Sequence, residues 1–356
     1  MSVNVSRWLT AAVAMKALSK TKSATIYEVA RQAGVSIATV SRALRDSSLV
    51  TEQTRARVHA AAAQLHFTPS RLGRSLAEGR HAANGIVFPD LVGPYYAEVV
   101  LGYEQTAAEL GASVLILATR GRRDAVAAVR DLAGRVDGMA IMGNTVGDDL
   151  VAGLDLPLIL IARPPVAGVD TIRTRNEQTA TELATHLLGH GHRRFVFLGD
   201  PSAAPDVAGR YAGLRTRLRA AGLQVPAVPC ELRLEAGSAA AQDILRDPPD
   251  ALVCANDEVA LGVLLAAETA GLDVPRDLAV TGWDDLLAAR FAALTTVRQP
   301  IRELGATAAR WLHGRIHERS ADPAGRRPVA ARRRVLPTQL VVRRSCGTHP
   351  PEVGTS

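Results

Sequence analysis

The chain has few cysteines and no long run of apolar residues. Its three cysteines, Cys230, Cys254 and Cys346, are far apart in a sequence of 356 residues. An odd number at such spacing argues against a disulfide framework and gives no clustered metal site. No segment approaches the roughly 20 consecutive apolar residues that a membrane-spanning helix requires. These absences favour a globular protein of the reducing cytoplasm.

A net positive charge is absent from most of the chain and is confined to its first 80 residues. Residues 1–80 contain 12 Lys and Arg against 4 Asp and Glu, whereas residues 81–356 contain 30 against 31. A localised basic segment beside a neutral one is typical of a protein that binds the phosphates of nucleic acid. A basic segment that only aids solubility would show the same imbalance, so charge alone does not decide between the two.

The first 24 residues contain no strong folding signal. Trp8 begins a short apolar run behind a single basic residue, Arg7, which is too weak for the core of a signal peptide. We expect residues 1–24 to be a disordered extension, with Met15 as an alternative start of translation.

Residues 25–69 are typical of three short helices. Thr25 begins a capping box, Gly34 ends the first helix, and Ser36 and Thr51 cap the next two. Apolar residues at helical spacing predict a shared core: Ile26, Val29, Ala30, Ala33, Val40, Ala43, Leu44, Val58, Ala61, Ala62 and Leu65. Two short helices joined by a tight turn predict a helix-turn-helix domain.

A short linker follows this domain. Pro69 ends the preceding domain, Ser70 caps a new helical segment, and Gly79 ends that segment. An isolated helix shorter than about 12 residues is marginal in water. We therefore expect residues 70–82 to form a hinge helix that is only loosely folded without a partner.

The remainder alternates apolar segments with amphipathic ones. Helical patterns occupy residues such as 96–110 and 178–189. Seven short apolar segments predict strands at 85–88, 113–118, 138–142, 158–161, 194–198, 251–254 and 278–282. This alternation predicts an α/β fold with a doubly wound parallel sheet, in which ligands bind beyond the carboxyl ends of the strands.

Several motifs resemble those of one known family. Residues 25–42 read TIYEVARQAGVSIATVSR, and residues 69–77 read PSRLGRSLA. Together with LGHGHRR, CAND, GWDD, TVRQP and LPTQLVV farther along the chain, they closely resemble the lactose-repressor (LacI/GalR) family. The resemblance runs to about Arg344. It implies a transcription regulator, most often a repressor, that binds palindromic operator DNA as a homodimer and responds to a small sugar-like effector.

The resemblance also implies a domain organisation. A helix-turn-helix domain and a hinge helix should precede a periplasmic-binding-protein-like core with two subdomains, and the core should be followed by a flexible tail. By analogy, the core spans 83–345, with subdomain one at about 83–171 and 297–327, subdomain two at about 172–296 and 328–345, and the tail at 346–356.

Residue chemistry and the resemblance together suggest the DNA contacts. Short hydroxyl side chains at helix starts suit phosphate oxygens, and Arg42 can donate two hydrogen bonds to guanine. The resemblance implies that Leu76 inserts between base pairs from the minor groove. The predicted DNA-binding residues are Thr25, Ile26, Tyr27, Ser36, Ile37, Ala38, Thr39, Ser41, Arg42, Arg45, Thr54, Ser70, Gly73 and Leu76.

The effector site is expected at the strand ends of the core. Aromatic faces beside polar groups suit a sugar or a nucleobase. The predicted effector-binding residues are Tyr95, Tyr96, Arg163, Arg210, Asn256, Trp283 and Asp284. Arg163 and Arg175 make the expected pocket more cationic than is usual for the family, which leaves a phosphorylated or acidic sugar open as the ligand.

Other functions fit the sequence less well. His186 and His190 have the i, i+4 spacing of metal ligands, but no other ligand type is near them in the sequence, so we expect no metal and no cofactor. A periplasmic-type solute-binding protein is the main alternative, and residues 25–80 argue against it. No nucleophile elbow or phosphate-binding loop points to an enzyme.

Overall fold

The computed structural model describes residues 24–44, 49–67, 81–322 and 330–347. The described chain forms two units, which divide between Arg80 and His81. Arg45, most of the predicted hinge and the tail beyond Gly347 lie outside the described residues.

The N-terminal unit contains the three predicted helices. They are α1 (Ile26–Ala33), α2 (Ile37–Ala43) and α3 (Glu52–Gln64). Val29, Val40 and Val58, one from each helix, are fully buried in a common core. Because Gly34 has a φ of 64°, it ends α1 in a left-handed turn that a residue with a Cβ would adopt only with strain. This turn sets α2 against α1.

The first lobe of the C-terminal unit is built on a six-stranded parallel sheet. Its strands are β1 (Ala83–Phe88), β2 (Ser113–Ala118), β3 (Gly138–Met142), β4 (Leu158–Ile161), β5 (Asp170–Thr174) and β11 (Arg333–Leu336), in the spatial order β11-β5-β4-β3-β1-β2. Helices α4 (Pro94–Glu109), α5 (Ala125–Ala133), α6 (Asp148–Gly153) and α12 (Ile301–Ala321) accompany this sheet. Every residue of β1, β3 and β4 is buried, as expected for a sheet covered on both faces.

The second lobe contains a four-stranded parallel sheet. Its strands are β6 (Phe195–Leu198), β7 (Ala227–Val228), β8 (Ala251–Cys254) and β9 (Ala279–Thr281), in the order β7-β6-β8-β9. Its helices are α7 (Asn176–Gly189), α8 (Pro205–Arg219), α9 (Leu234–Ile244), α10 (Asp257–Thr269) and the short α11 (Leu287–Phe291). An antiparallel pair, β10 (Thr296–Arg298) with β12 (Gln339–Val341), adjoins this lobe, and residues 344–346 form a 3-10 turn.

The chain crosses between the lobes three times. It crosses after β5, between β10 and α12, and between β11 and β12. Two predicted boundaries need correction. The first lobe continues beyond 171 to Thr174, because β5 pairs with β4 and β11. The last crossing lies after Leu336 instead of near 328, because the arginine-rich β11 is an edge strand of the first sheet.

Buried carboxylates hold these crossings in place. Asp170 on β5 accepts hydrogen bonds from Arg315 of α12 and Arg332, which precedes β11. Burial raises the pKa of Asp170, but these bonds outweigh that effect and lower it. In the second lobe, Asp285 is likewise paired with Arg298 and Arg343. The negative charges of these two buried carboxylates are therefore balanced by the arginines that contact them.

Candidate DNA interface and effector pocket

The start of α1 is fixed by hydrogen bonds that Thr25 makes. Its backbone N–H donates to Glu28 Oε2 at 2.7 Å, and its Oγ1 accepts from the backbone N–H of Glu28 at 3.4 Å. This reciprocal capping box places Thr25 and Tyr27 at the exposed start of the helix, and Tyr27 is 68% exposed. Ile26 packs partly against the core instead.

Helix α2 presents a continuous exposed face. Ser36 Oγ accepts from the backbone N–H of Thr39 at 3.1 Å and so begins the helix. Ile37, Ala38 and Arg42 are exposed, Thr39 and Ser41 are half-buried, and Val40 and Ala43 point into the core. Since residues four apart share a helix face, Ile37 and Ser41 are neighbours one turn apart, and so are Ala38 and Arg42. The structure thus brings the predicted base-contacting residues to one surface.

The start of α3 lies in the same unit. Thr51 caps α3 by accepting from the backbone N–H of Thr54, and it donates from Oγ1 to Thr54 Oγ1 at 3.0 Å. Four predicted DNA contacts, Arg45, Ser70, Gly73 and Leu76, lie outside the described residues.

A pocket of about 160 Å³ opens between the two lobes. Its walls come from residues that follow the carboxyl ends of β1, β3 and β4 in the first lobe and of β8 and β9 in the second, with the first turns of α4, α8 and α10. This is the position at which α/β sheets bind ligands.

Tyrosines form the wall of the first lobe. Tyr95 and Tyr96 occupy the first turn of α4, with ring centroids 5.5 Å apart in an edge-to-face arrangement, and Tyr96 also contacts Phe88 at 5.7 Å. Burial raises the pKa of Tyr96 to about 12 and raises that of Tyr95 as well. Both phenols are therefore protonated at neutral pH and offer O–H donors beside an apolar ring.

Arg210 dominates the wall of the second lobe. Its guanidinium donates to Asn176 Oδ1 at 3.1 Å and to the carbonyl of Ala255 at 2.6 Å, and lies 4.9 Å from the ring centroid of Trp283. These contacts hold the side chain rigidly against the pocket, where its remaining N–H groups are 4.0 Å from Asp284.

Asp284 follows β9 in a conformation that few side chains adopt. Its φ is 121°, and its carboxylate accepts from Gln299 Nε2 at 2.6 Å. Burial raises its pKa to about 8; Arg210 lowers it and Asp257 raises it further. The carboxyl group is therefore protonated over most of the range below neutral pH, and it can donate or accept a hydrogen bond to a ligand.

Asn256 lines the pocket but its side chain is already engaged. Its Oδ1 caps α10 by accepting from the backbone N–H of Val259 at 2.9 Å, and its Nδ2 donates to the carbonyl of Leu232 at 3.4 Å. Both ends of the amide thus hold the second-lobe wall together.

Two predicted effector contacts are not brought to the pocket. Arg163 is 2% exposed, and its guanidinium bonds to Asp148 and to the carbonyl of Val146 at 3.0 Å, while only its neighbour Ala162 lines the pocket. Trp283 lies behind Arg210 and is not part of the lining. Arg175, at the start of α7, is also outside it. The expectation of a cationic pocket is therefore not supported.

Two acidic residues of the pocket were missed by sequence reasoning. Asp206 in α8 accepts from Asn176 Nδ2 at 2.9 Å, and burial raises its pKa. Glu258 in α10 also lines the pocket, and burial and Glu235 raise its pKa. Both lie in the first turn of a helix, where acidic residues usually serve only to stabilise the helix end, so the sequence did not distinguish them.

The chain matches two family models. Residues 25–70 match the lacI family of bacterial regulatory proteins, and residues 184–346 match the periplasmic binding protein-like domain. Within the described residues no helix is both long and apolar enough to cross a membrane.

Curated proteins and solved structures agree with these matches. The chain is 32% identical to the HTH-type transcriptional repressor CytR of Escherichia coli over 304 residues, covering 82% of this chain and 89% of CytR. It is 31% identical to the transcriptional regulator DegA of Bacillus subtilis, covering 90% of this chain and 97% of DegA.

Among solved structures, the lac repressor dimer bound to operator and the anti-inducer ONPF superimposes with a TM-score of 0.78 at 28% identity, covering 92% of this chain and all of that one. A complex of the regulator CelR with cellobiose gives a TM-score of 0.65 at 28% identity and covers 90% of this chain and 99% of that one. The helix-turn-helix face, the two-lobed core and these matches lead to one conclusion: the chain belongs to the LacI family and is a DNA-binding transcription regulator with a ligand-binding domain, not an enzyme.

Proposed function

We propose that this regulator is a cytoplasmic, homodimeric repressor whose affinity for a palindromic operator is set by a neutral, polyhydroxylated ligand such as a sugar. One observation carries the choice of ligand class. The pocket combines two tyrosines of the first lobe with closely spaced polar groups of the second, and phenol, carboxyl and guanidinium groups together can fix several hydroxyls.

The charges of the pocket favour a neutral ligand over an anionic one. Three carboxyl groups, those of Asp206, Glu258 and Asp284, line it together with a single guanidinium, that of Arg210. Burial raises the pKa of all three carboxyl groups, so negative charge is unfavourable in this pocket, and a phosphate or a carboxylate on the ligand would find only Arg210 to compensate it. Hydroxyl groups bring no charge, and they can donate to carboxyl oxygens and accept from Arg210.

Relatives support both parts of the proposal. CytR is named a repressor, the lac repressor structure is a dimer on its operator, and CelR holds cellobiose. In this chain, the exposed face of α2 and the +8 balance of residues 1–80 provide the DNA-binding surface.

Ligand and DNA would be coupled by movement of the two lobes. A ligand that touches both lobes must bind their open and closed arrangements with different affinity, and only such a difference shifts an equilibrium. We infer, by resemblance to the family, that a hinge helix containing Leu76 would transmit this movement to the DNA. That segment lies outside the described residues, and its role stays a prediction.

The test is a thermal-shift screen followed by operator binding measured by fluorescence anisotropy. Neutral sugars should raise the melting temperature, whereas sugar phosphates and sugar acids should not. The hit should then change operator affinity by roughly 5- to 150-fold, the usual range of allosteric coupling. A screen in which only anionic ligands or nucleosides bind would contradict the proposed ligand class.

The matched variants are Asp284→Ala and Asp277→Ala. Asp284 lines the pocket, whereas Asp277 is paired with Arg276 at the surface of the same lobe. Asp284→Ala should abolish the response to the ligand while operator affinity without ligand stays nearly unchanged, and Asp277→Ala should respond normally. An unchanged response of Asp284→Ala at the same ligand concentration would place the ligand elsewhere.

A further inference from the structure

A cluster of metal-ligating side chains lies in the second lobe, at the end of α7. His186 of α7 and His190, which directly follows it, converge on Cys346 of the 3-10 turn near the end of the described chain. One ligand atom from each of the three lies within 4.8 Å of the others, and His186 Nε2 is 3.3 Å from Cys346 Sγ. We propose that these three residues bind one divalent transition-metal ion, with Zn²⁺ as the best fit and water in the remaining position.

The donor set selects this class of metal. Imidazole nitrogen and thiolate sulfur are preferred ligands of zinc and of other late first-row transition metals, whereas calcium and magnesium prefer oxygen ligands. Ligands bound at about 2.0–2.3 Å in a tetrahedron are roughly 3.3–3.7 Å apart. The His186–Cys346 separation already has this value, and a ligand atom of His190 lies within 4.8 Å of both.

The surrounding structure holds the thiol in place without the metal. His192 Nε2 donates to the backbone carbonyl of Cys346 at 2.9 Å, and Thr295 Oγ1 lies 2.9 Å from Cys346 Sγ. In metal sites, surrounding groups commonly hold the ligands in position by hydrogen bonds. His192 and Thr295 have this relation to Cys346.

Gly347 provides a second, independent indication. Its φ is 144°, and a Cβ at this position would lie 2.6 Å from His190 Nδ1. A side chain at this position would displace the imidazole from its place beside the backbone of residue 347. The histidine can therefore stay beside the cysteine, and a bound metal would fasten residues 344–347 to α7.

The experiment titrates the reduced, metal-free full-length chain with Co²⁺ and then with Zn²⁺. Cobalt should bind at one ion per chain and give the near-ultraviolet charge-transfer band of a Co–thiolate bond, which zinc should displace. Zinc should also raise the melting temperature. The chain contains two other cysteines, so the band alone does not locate the site.

Two variants locate it. Cys346→Ser should lose the band, while the matched Cys230→Ser variant, which removes a half-buried thiol elsewhere in the same lobe, should keep it. If Cys346→Ser does not fold, His190→Ala is the second test and should weaken metal binding at least 10-fold. His313→Ala is its control, since His313 and His317 form another i, i+4 pair, on α12.

The outcomes separate clearly. Binding at one ion per chain that is lost in Cys346→Ser or His190→Ala and kept in both controls supports the site. Absence of stoichiometric binding, or binding that survives both substitutions, would overturn it and leave the cluster as a hydrogen-bonded group of side chains.

Discussion

Arg42 is the exposed arginine on the face of α2 that we assign to the DNA. It can donate two hydrogen bonds to guanine, and such a pair contributes about 1–3 kcal/mol of discrimination against other bases. Arg42→Ala should therefore weaken operator binding by this amount and relax specificity at one symmetric base pair. Anisotropy measurements on operators substituted at each position would show this.

Arg57→Ala is the control for this prediction. Arg57 is exposed on α3 of the same unit, so its loss removes the same charge from a helix to which we assign no base contact. It should weaken binding evenly on all sequences, if at all. An equally even loss for Arg42→Ala would reduce Arg42 to a phosphate contact.

Asp284 makes stability depend on pH in an unusual direction. Its pKa is raised to about 8 in the folded protein, whereas an unfolded aspartate titrates near 4. The folded state therefore holds a proton that the unfolded state loses, so the contribution of Asp284 to stability is fully present below about pH 4 and is lost as pH rises towards 8. Chemical denaturation at pH 5, 6.5 and 8 should reveal the slope.

Asp284→Asn removes this titration while keeping the shape of the side chain. Its stability should depend less on pH between 5 and 8 than that of the unsubstituted chain. Asp277→Asn is the control, because its parent carboxyl has a pKa of about 2 in the folded protein, lowered by Arg276, and so does not titrate in this window. Parallel slopes for Asp284→Asn and the unsubstituted chain would contradict the prediction.

At the level of individual residues, the sequence predicted most of the residues that line the pocket but not the charge of the pocket. The structure brings five of the seven residues predicted to bind the effector to the wall of one cavity: Tyr95, Tyr96, Arg210, Asn256 and Asp284. The direction of a residue just beyond a strand depends on local backbone angles that the sequence does not reveal. Ala162 has a φ of 53°, and Arg163, the residue after it, bonds to Asp148 away from the pocket.

Among the helices, glycines mark three close crossings. Gly102 of α4 meets the backbone of Arg302 on α12, Gly213 of α8 meets that of Glu177 on α7, and Gly262 of α10 meets that of Leu234 on α9. In each pair a Cβ would collide with a backbone carbonyl oxygen, which cannot move aside as a side chain can. The two helices of each pair can pack this closely because glycine has no side chain at the point of contact.

Gly102→Ala should therefore destabilise the C-terminal unit, since overpacking costs about 1–3 kcal/mol. The matched control is Gly153→Ala at the end of α6, where a Cβ would meet nothing within 4 Å; it should be neutral or slightly stabilising. Urea denaturation of both variants compares them directly. Equal stability would mean that α4 and α12 separate without cost.

Apolar strands could be predicted from the sequence, but polar and very short strands could not. Strands β2, β3, β4 and β8 have the predicted bounds. Strands β3, β4 and β8 are buried throughout, which requires continuous apolar residues, and the edge strand β2 is equally apolar although it is partly exposed. Strand β5 is largely polar, β7 has two residues and β11 begins with two arginines. Their place in a sheet is set by neighbours that are distant in the sequence.

Across the whole C-terminal unit, an ionic network joins the two lobes beside the pocket. Asp90 accepts from Arg233 at 2.6 Å and from Arg120 at 3.2 Å, and Arg120 bonds to Glu231 at 2.9 Å. Asp90 and Arg120 belong to the first lobe, and Glu231 and Arg233 to the second. The network therefore favours the arrangement in which the lobes are close together.

The double variant Arg120→Ala/Arg233→Ala should bind the effector about 3- to 10-fold more weakly, since partly exposed ion pairs contribute about 0.2–1 kcal/mol each. Arg276→Ala, which breaks ion pairs within the second lobe only, should bind it normally. Calorimetry measures both affinities. Unchanged affinity in the double variant would show that the ion pairs do not influence closure.

The protein should bind DNA as a dimer, and its affinity for the operator should depend strongly on salt concentration. The lac repressor structure that this chain resembles over 92% of its length is a dimer on its operator, and residues 1–80 hold the positive charge excess of the chain. Light scattering should give a two-chain mass, and operator affinity should fall about 100-fold or more between 50 and 200 mM salt. A four-chain mass or a flat salt response would contradict this.

The three crossings between the lobes also determine the order in which the protein is completed on the ribosome. Helices α1 to α3 end at Gln64, whereas the first sheet lacks β11 and the second lobe lacks β12 until Arg333–Leu336 and Gln339–Val341 have been synthesised. Because domains fold as units in the order of their synthesis, the helix-turn-helix is finished while both lobes still await their last strands. A nascent regulator therefore completes the helices that face the DNA well before the lobes that enclose the effector pocket.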